Sequence, residues 1–169
     1  MAVAELVSAE QYLHMSFEHD AEFVEGRIVE RPVPTYEHAS TQGFLIEALR
    51  IIGRRLGLFA LPEQRVQTRS NHFRVPDVCV VSERPEGEFG NRIVTRPPYL
   101  CIEILSPDEA TVTTMEKVRE YLSFGVAWVW VIDPVSLAGQ VFSQSGGVNI
   151  ENRIFSTDRF TVDLSDVDF

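Results

Sequence analysis

Apolar positions along this chain come in short alternating blocks, broken by two longer stretches of helical spacing. The longer stretch, YEHASTQGFLIEALRIIGRRLG over 36–57, repeats Phe44, Leu45, Leu49, Ile52 and Leu56 along one face and meets Gly57 as a stop. That spacing predicts an amphipathic helix. A second helix is predicted over 110–125, ending at Gly125. Near the start, Ser8 precedes Gln11 by three residues, a capping-box pattern that predicts a short helix. Strands are predicted over 22–31 (a hairpin turning at Gly26), about 58–68, 73–82 and 99–106. The run 126–134 is apolar on both faces, as in a buried parallel strand, and Pro134 stops it. A loop rich in Gly, Pro and charge fills 83–98. A hairpin around Gly146-Gly147 and a short strand with an acidic end close the chain. This order of strands, crossover helix and strand predicts an α/β or mixed α+β fold, in one domain over 1–169.

Composition narrows the class. At 44% hydrophobic the chain can build a core, and no apolar run is long enough to span a membrane. The first residues lack the basic start and apolar stretch of a signal peptide. Cys79 and Cys101 lie inside apolar runs and read as reduced core thiols, which fits a cytoplasmic location. The net charge of −10 argues against coating nucleic acid through general electrostatics, but leaves room for a local basic cleft. The surplus of carboxylates suits a divalent cation.

Three charged residues stand where apolar ones are expected. Asp77 and Glu103 each interrupt a core-like strand. Burying a carboxylate costs several kcal/mol unless it is paired, protonated or bound to metal. Alternation puts Asp77 on a face with Cys79 and Val81, and Glu103 on a face with Cys101 and Leu105. Neighbouring strands would bring both acids to one point, a hard-oxygen pair suited to magnesium or manganese. Alternatively, Asp77 opens its strand near the surface behind Pro76, and Glu103 pairs with an arginine. Lys117 is the only lysine among 15 lysine and arginine side chains. On a helical projection it falls in the apolar sector between Tyr121 and Phe124, whereas Glu116, Arg119, Glu120 and Ser123 occupy the other arc. Its helix follows the Glu103 strand closely and should fold back over it, carrying Lys117 towards the two acids.

These residues resemble the PD-(D/E)xK nuclease superfamily, and within it the Uma family of restriction endonucleases. Pro76-Asp77-Val78 supplies the first motif, and Glu103 with Ile104, Leu105, Ser106 and Pro107 the second. Leu105 stands where the superfamily carries its lysine; in the Uma pattern the lysine moves to the next helix, matching Lys117 and Tyr121 in KVREY. Glu22 in EFVEG, His38 before the long helix, and Trp130, Asp133 and Pro134 in GVAWVWVIDP follow the same order. Thr113 and Trp128 depart from it, standing where the family commonly has acids.

The resemblance implies a restriction-endonuclease-like mixed sheet flanked by helices, and metal-dependent hydrolysis of DNA. Asp77 and Glu103, helped by the backbone carbonyl of Ile104, would hold Mg2+ or Mn2+. Lys117 would stabilise developing negative charge or orient water, and Glu22 would complete the metal shell or hold a second ion. His38 would touch a phosphate or move a proton, or merely hydrogen-bond locally at its helix start. Tyr121 would hold Lys117, touch substrate or pack. Arg92 and Arg96 would grip phosphates or lie solvated in their loop. Trp128 and Trp130 read as core or as a contact between copies, which allows a homodimer. Two other functions fit the same residues: a non-catalytic interaction or oligomerisation module, and a hydrolase of a smaller phosphoester.

Overall fold

The structure is a computed structural model that describes residues 6–18, 20–87, 92–107 and 111–169. The Ser8 capping box forms, with Gln11 N–H donating to Ser8 Oγ at 3.1 Å and Ser8 N–H to Gln11 Oε1 at 2.7 Å, and starts α1 (Ala9–Leu13). Strands β1 (Ala21–Val24) and β2 (Arg27–Glu30) form the hairpin. Its two turn residues, Glu25 and Gly26, have φ of 50° and 83°, the left-handed pair whose twist matches a tight antiparallel turn.

Helix α2 (Tyr36–Leu56) begins at Thr35, whose hydroxyl accepts from His38 N–H, and ends at Gly57 in the left-handed region. Its buried face includes Leu45 and Leu49.

Each long strand predicted over 58–68 and 73–82 is two short strands in different sheets. The first divides into β3 (Phe59–Pro62) and β4 (Val66–Arg69), the second into β5 (His72–Arg74) and β6 (Val78–Val81). Pro76 lies in the second break, where its missing N–H could not have continued a ladder. The chain then runs through β7 (Leu100–Ile104), α3 (Thr111–Phe124), β8 (Trp128–Ile132), β9 (Gly139–Ser143), β10 (Gly146–Ile150), β11 (Ile154–Ser156) and β12 (Thr161–Asp163) to a 3-10 turn at Leu164–Asp166. Gly146 and Gly147 open β10, so the turn of that hairpin is Gln144-Ser145.

The main sheet has the order β10-β9-β8-β7-β6-β3, a smaller one β2-β1-β5-β4, and β11 and β12 form a two-stranded third. Within the main sheet β7 and β8 are parallel, joined by the α3 crossover, and the other pairs are antiparallel. Leu100, Ile102 and Ile104 face one core with Leu45, Leu49 and Trp130. Cys101 faces the other with Val118 and Tyr121 of α3. Trp130 is core, its ring packed on Phe155 and Phe160. Trp128 is half-buried, and its indole donates to Asp158 at 3.0 Å. Asp133 caps the turn after β8 by accepting from Val135 N–H and Ser136 Oγ, both at 2.9 Å. Cys79 and Cys101 are free, buried and opposite each other across β6 and β7. Among the described residues, no helix is long and apolar enough to cross a membrane.

Helix α3 lies between the two sheets, and this corrects one sequence expectation. Glu120, projected on the polar arc, is buried rather than solvated. The smaller sheet covers that arc: Thr68 of β4 and His72 and Arg74 of β5 all reach Glu120. A projection of one helix detects the apolar face but not a second, polar packing partner.

Candidate functional site

Asp77 sits in the break between β5 and β6, one residue before β6 begins, so it does not interrupt a strand. It is nevertheless 3% exposed. Val78 pairs with Ile102 across the antiparallel ladder, and continuing that register sets Asp77 beside Glu103. Asp77 Oδ2 accepts the Ile104 N–H at 2.6 Å. Its Oδ1 meets the guanidinium of Arg31 and lies 3.3 Å from His38 Nε2. Its own carbonyl accepts from Gln42 Nε2 of α2 at 2.9 Å, which fixes the break to the helix.

Glu103 is in β7, on the sheet face that meets α3. Lys117 Nζ is 3.2 Å from Glu103 Oε2, and Tyr121 OH donates to Oε1 at 2.7 Å. Lys117 and Tyr121 are one helical turn apart, so α3 presents both to one carboxylate. Burial pushes the Glu103 carboxyl up; Lys117 opposes this, and Asp77 and Glu22 add to it, leaving it at about 7. Burial likewise holds the Tyr121 phenol well above its ordinary range, so it is a donor.

Asp77, Glu103, Lys117, His38 and Ile104 line one cavity of about 290 Å³, together with Arg31 and Ser106. Glu22 and Tyr121 do not line it. Glu22 of β1 accepts from Arg74 Nη1 at 2.9 Å and from Val75 N–H at 3.2 Å, and its Oε1 is 3.5 Å from Lys117 Nζ. It therefore touches the lysine from behind. Burial works to push Glu120 up, but hydrogen bonds from Arg74 and Thr68 and the Arg74 charge outweigh it and hold that carboxyl low.

Sequence reasoning missed Arg31, Arg74 and Glu120. Arg31 follows the β2 hairpin strand before Pro32, a place that reads as exposed in sequence, and it is half-buried against Asp77, 46 residues on, and Glu63. Of the loop arginines, Arg96 pairs with Glu83 and Glu86 at the surface, and Arg92 does not reach the cavity.

The donor set fits a small divalent cation. Asp77, Glu103 and Ile104 line the same cavity, and Asp77 Oδ2 and the two Glu103 oxygens keep acceptor capacity beyond the hydrogen bonds they take from Ile104 N–H, Lys117 and Tyr121. Among the described residues, no three His, Cys, Asp or Glu side chains form a cage. One or two carboxylates supplemented by water is the habit of magnesium rather than of zinc.

A family model for Uma2, described as "Putative restriction endonuclease", matches residues 9–166. No curated protein matches the chain. Among solved structures, a crystal structure titled as a "putative nuclease belonging to DUF820" from Anabaena variabilis superposes with a TM-score of 0.81. It is 22% identical in sequence, over 95% of this chain and 97% of that one, a likeness that establishes the fold. Sequence pattern, fold and family model agree: the chain belongs to the Uma2 family and has the restriction-endonuclease-like fold.

Proposed function

We propose that this protein hydrolyses phosphodiester bonds of DNA with the help of magnesium or manganese. One observation carries the proposal: Asp77, Glu103 and Lys117, from a strand break, a strand and a helix, converge on a single cavity with Lys117 3.2 Å from Glu103. Membership of the Uma2 family supports it. Asp77, Glu103 and the Ile104 main chain would hold the cation, which when bound polarises the phosphate and activates water. The Lys117 ammonium is a compact point charge able to stabilise negative charge on the reacting phosphoryl group. Arg31 and His38, on the Asp77 side of the cavity, suit contact with a phosphate oxygen. Glu22 and Tyr121 act as positioning residues, Glu22 through Lys117 and Tyr121 through Glu103.

The test is cleavage of plasmid and single-stranded DNA with magnesium or manganese, beside Asp77→Asn and Lys117→Met. Each variant should lose about a hundred- to a thousandfold in rate, the usual effect of removing one electrostatic contact to a transition state. Cutting that survives both substitutions overturns the site. A wild-type protein that neither cuts nor gives heat of binding with either cation is an interaction module instead.

A further inference from the structure

Net charge of −10 poses a problem for a protein that must hold a polyanion. Four arginines answer it. Arg50 and Arg54 of α2, Arg84 after β6 and Arg92 line a groove of about 600 Å³ along β3, the unpaired edge of the main sheet. Its floor is apolar, with Leu58, Phe59 and Leu61, and among the described residues no acid lines it. The reaction cavity, by contrast, has Glu18, Asp20 and Glu63 around the two site carboxylates. Two of the four cations are held in place. Arg50 Nε donates to the Ala60 carbonyl at 3.3 Å, and the Arg84 guanidinium lies 5.0 Å over the Phe59 ring.

The groove and the cavity are linked. A hollow of about 680 Å³ shares Asp20 and Glu63 with the cavity, and Gln64 and Arg92 with the groove. Gln64 Nε2 donates to the Arg92 carbonyl at 2.8 Å and braces the junction.

We infer that the arginine groove along β3 binds the unpaired strand of a nucleic acid whose continuation passes over Gln64 into the Asp77–Glu103 cavity. The inference rests on the proposed function for the direction of the strand, though not for its binding. Charge complementarity selects a polyanion, and the four arginines supply partners for successive phosphates. The apolar stretch selects an unpaired strand, because only there are base faces free to meet the Arg84 guanidinium stacked on the half-buried Phe59 and the half-buried Leu61 beside it. A duplex offers phosphates alone and would leave that floor uncovered.

Binding of a short fluorescein-labelled oligo(dT) to the intact protein tests this, followed by anisotropy over a range of salt. The groove variant carries Arg54→Ser, Arg84→Ser and Arg92→Ser together. A control variant of equal charge carries Arg27→Ser, Arg69→Ser and Arg119→Ser, all exposed and outside the groove. The groove variant should bind at least about tenfold more weakly, and the slope of log affinity against log salt should fall by about 2, near 0.7 for each phosphate that is no longer neutralised. Both variants should hydrolyse bis(p-nitrophenyl) phosphate, a diester too small to reach the groove, at the wild-type rate. Equal binding by groove and control variants overturns the inference. A blunt duplex that binds wild type as tightly as oligo(dT), and loses as much in the groove variant, overturns the choice of an unpaired strand. If wild type hydrolyses no diester yet oligo(dT) binding still falls in the groove variant alone, the proposed function fails and the groove stands.

Discussion

Glu103 and Glu120 are two buried carboxylates, one on each side of the same helix, and their surroundings are opposite in kind. Glu120 meets a planar guanidinium: Arg74 Nε and Nη2 both reach its Oε2, at 2.9 and 2.6 Å, while Thr68 and His72 engage Oε1. Its charge is matched, and its pKa lies below the ordinary value despite burial. Glu103 meets one ammonium and one phenol, with Asp77 and Glu22 adding negative charge nearby, and its carboxyl is raised to about 7. Glu120 and Arg74 do not line the cavity of Asp77 and Lys117, whereas Glu103 does. A carboxylate with its full complement of partners is part of the scaffold. One left with an excess of like charge beside a cavity is poised for a further cation.

The largest expected effect lies on the scaffold side. Arg74→Met removes the cation shared by Glu120 and Glu22, leaving Glu120 with Thr68 and His72 and Glu22 with Lys117 and the Val75 N–H, at a cost of about 3–5 kcal/mol in unfolding free energy by urea titration. Adding Glu120→Gln should recover part of that loss. A cost below about 1 kcal/mol would make the two clusters alike and break the comparison. Next comes Lys117→Met, which removes the ammonium beside Glu103. Cleavage should fall about a hundred- to a thousandfold, yet calorimetric affinity for manganese should hold or improve, because a competing cation has gone. A variant that loses manganese binding would turn Lys117 into a purely structural partner of the carboxylates.

How much of this was written in the sequence follows from the range of each interaction. Pro76-Asp77, Glu103 and Lys117 were legible because each contradicts its local pattern: an acid among β-branched residues, or a lysine on an apolar arc. The alternation of β7 and the projection of α3 needed only neighbours within one element. Glu120 was misread for the same reason, since its local pattern is that of a solvated helix face, and the smaller sheet that buries it is 46–52 residues away in the chain. Arg31 follows β2 and Arg74 ends β5, so both look like exposed punctuation, and the half-burial of the one and full burial of the other come from tertiary packing. The splitting of 58–68 and 73–82 between two sheets was hidden because periodicity runs across both breaks, although Pro76 marked one of them. The proposal of DNA as substrate rests on the family pattern, because charge alone points away from it.

The two carboxylates should also impose opposite pH slopes in separate windows. Glu103 is raised from 4.5 to about 7 in the fold, so between those values the folded state holds a proton that the unfolded chain has lost. Stability must then fall as pH rises through that window, by up to about 1.4 kcal/mol per pH unit, and the loss is complete above about 7. Glu120 is lowered, so its contribution is present above 4.5 and is lost only as pH falls below that value. Urea titrations of cation-free protein should therefore give a downward slope between pH 5 and 7 that Glu103→Gln abolishes and Glu120→Gln leaves in place. Excess manganese at neutral pH should flatten the same slope by favouring the ionised form. A slope unchanged in Glu103→Gln would mean that Lys117 keeps Glu103 ionised throughout, removing the contrast with Glu120.

The smallest effect separates the two clusters most finely. Tyr121→Phe deletes one hydrogen bond to Glu103, at about 1–1.5 kcal/mol, without altering the apolar packing of the ring in the α3 core. That hydrogen bond favours the ionised carboxylate, so its loss should move the midpoint of the Glu103 slope upward from about 7. Thr68→Val deletes the corresponding bond to Glu120, where two guanidinium nitrogens remain on the other oxygen. The acid-side transition of Thr68→Val should shift less than the Glu103 midpoint does in Tyr121→Phe. A larger shift from Thr68→Val would mean that the hydroxyl, and not Arg74, sets the state of Glu120, and the guanidinium would then be packing rather than charge balance.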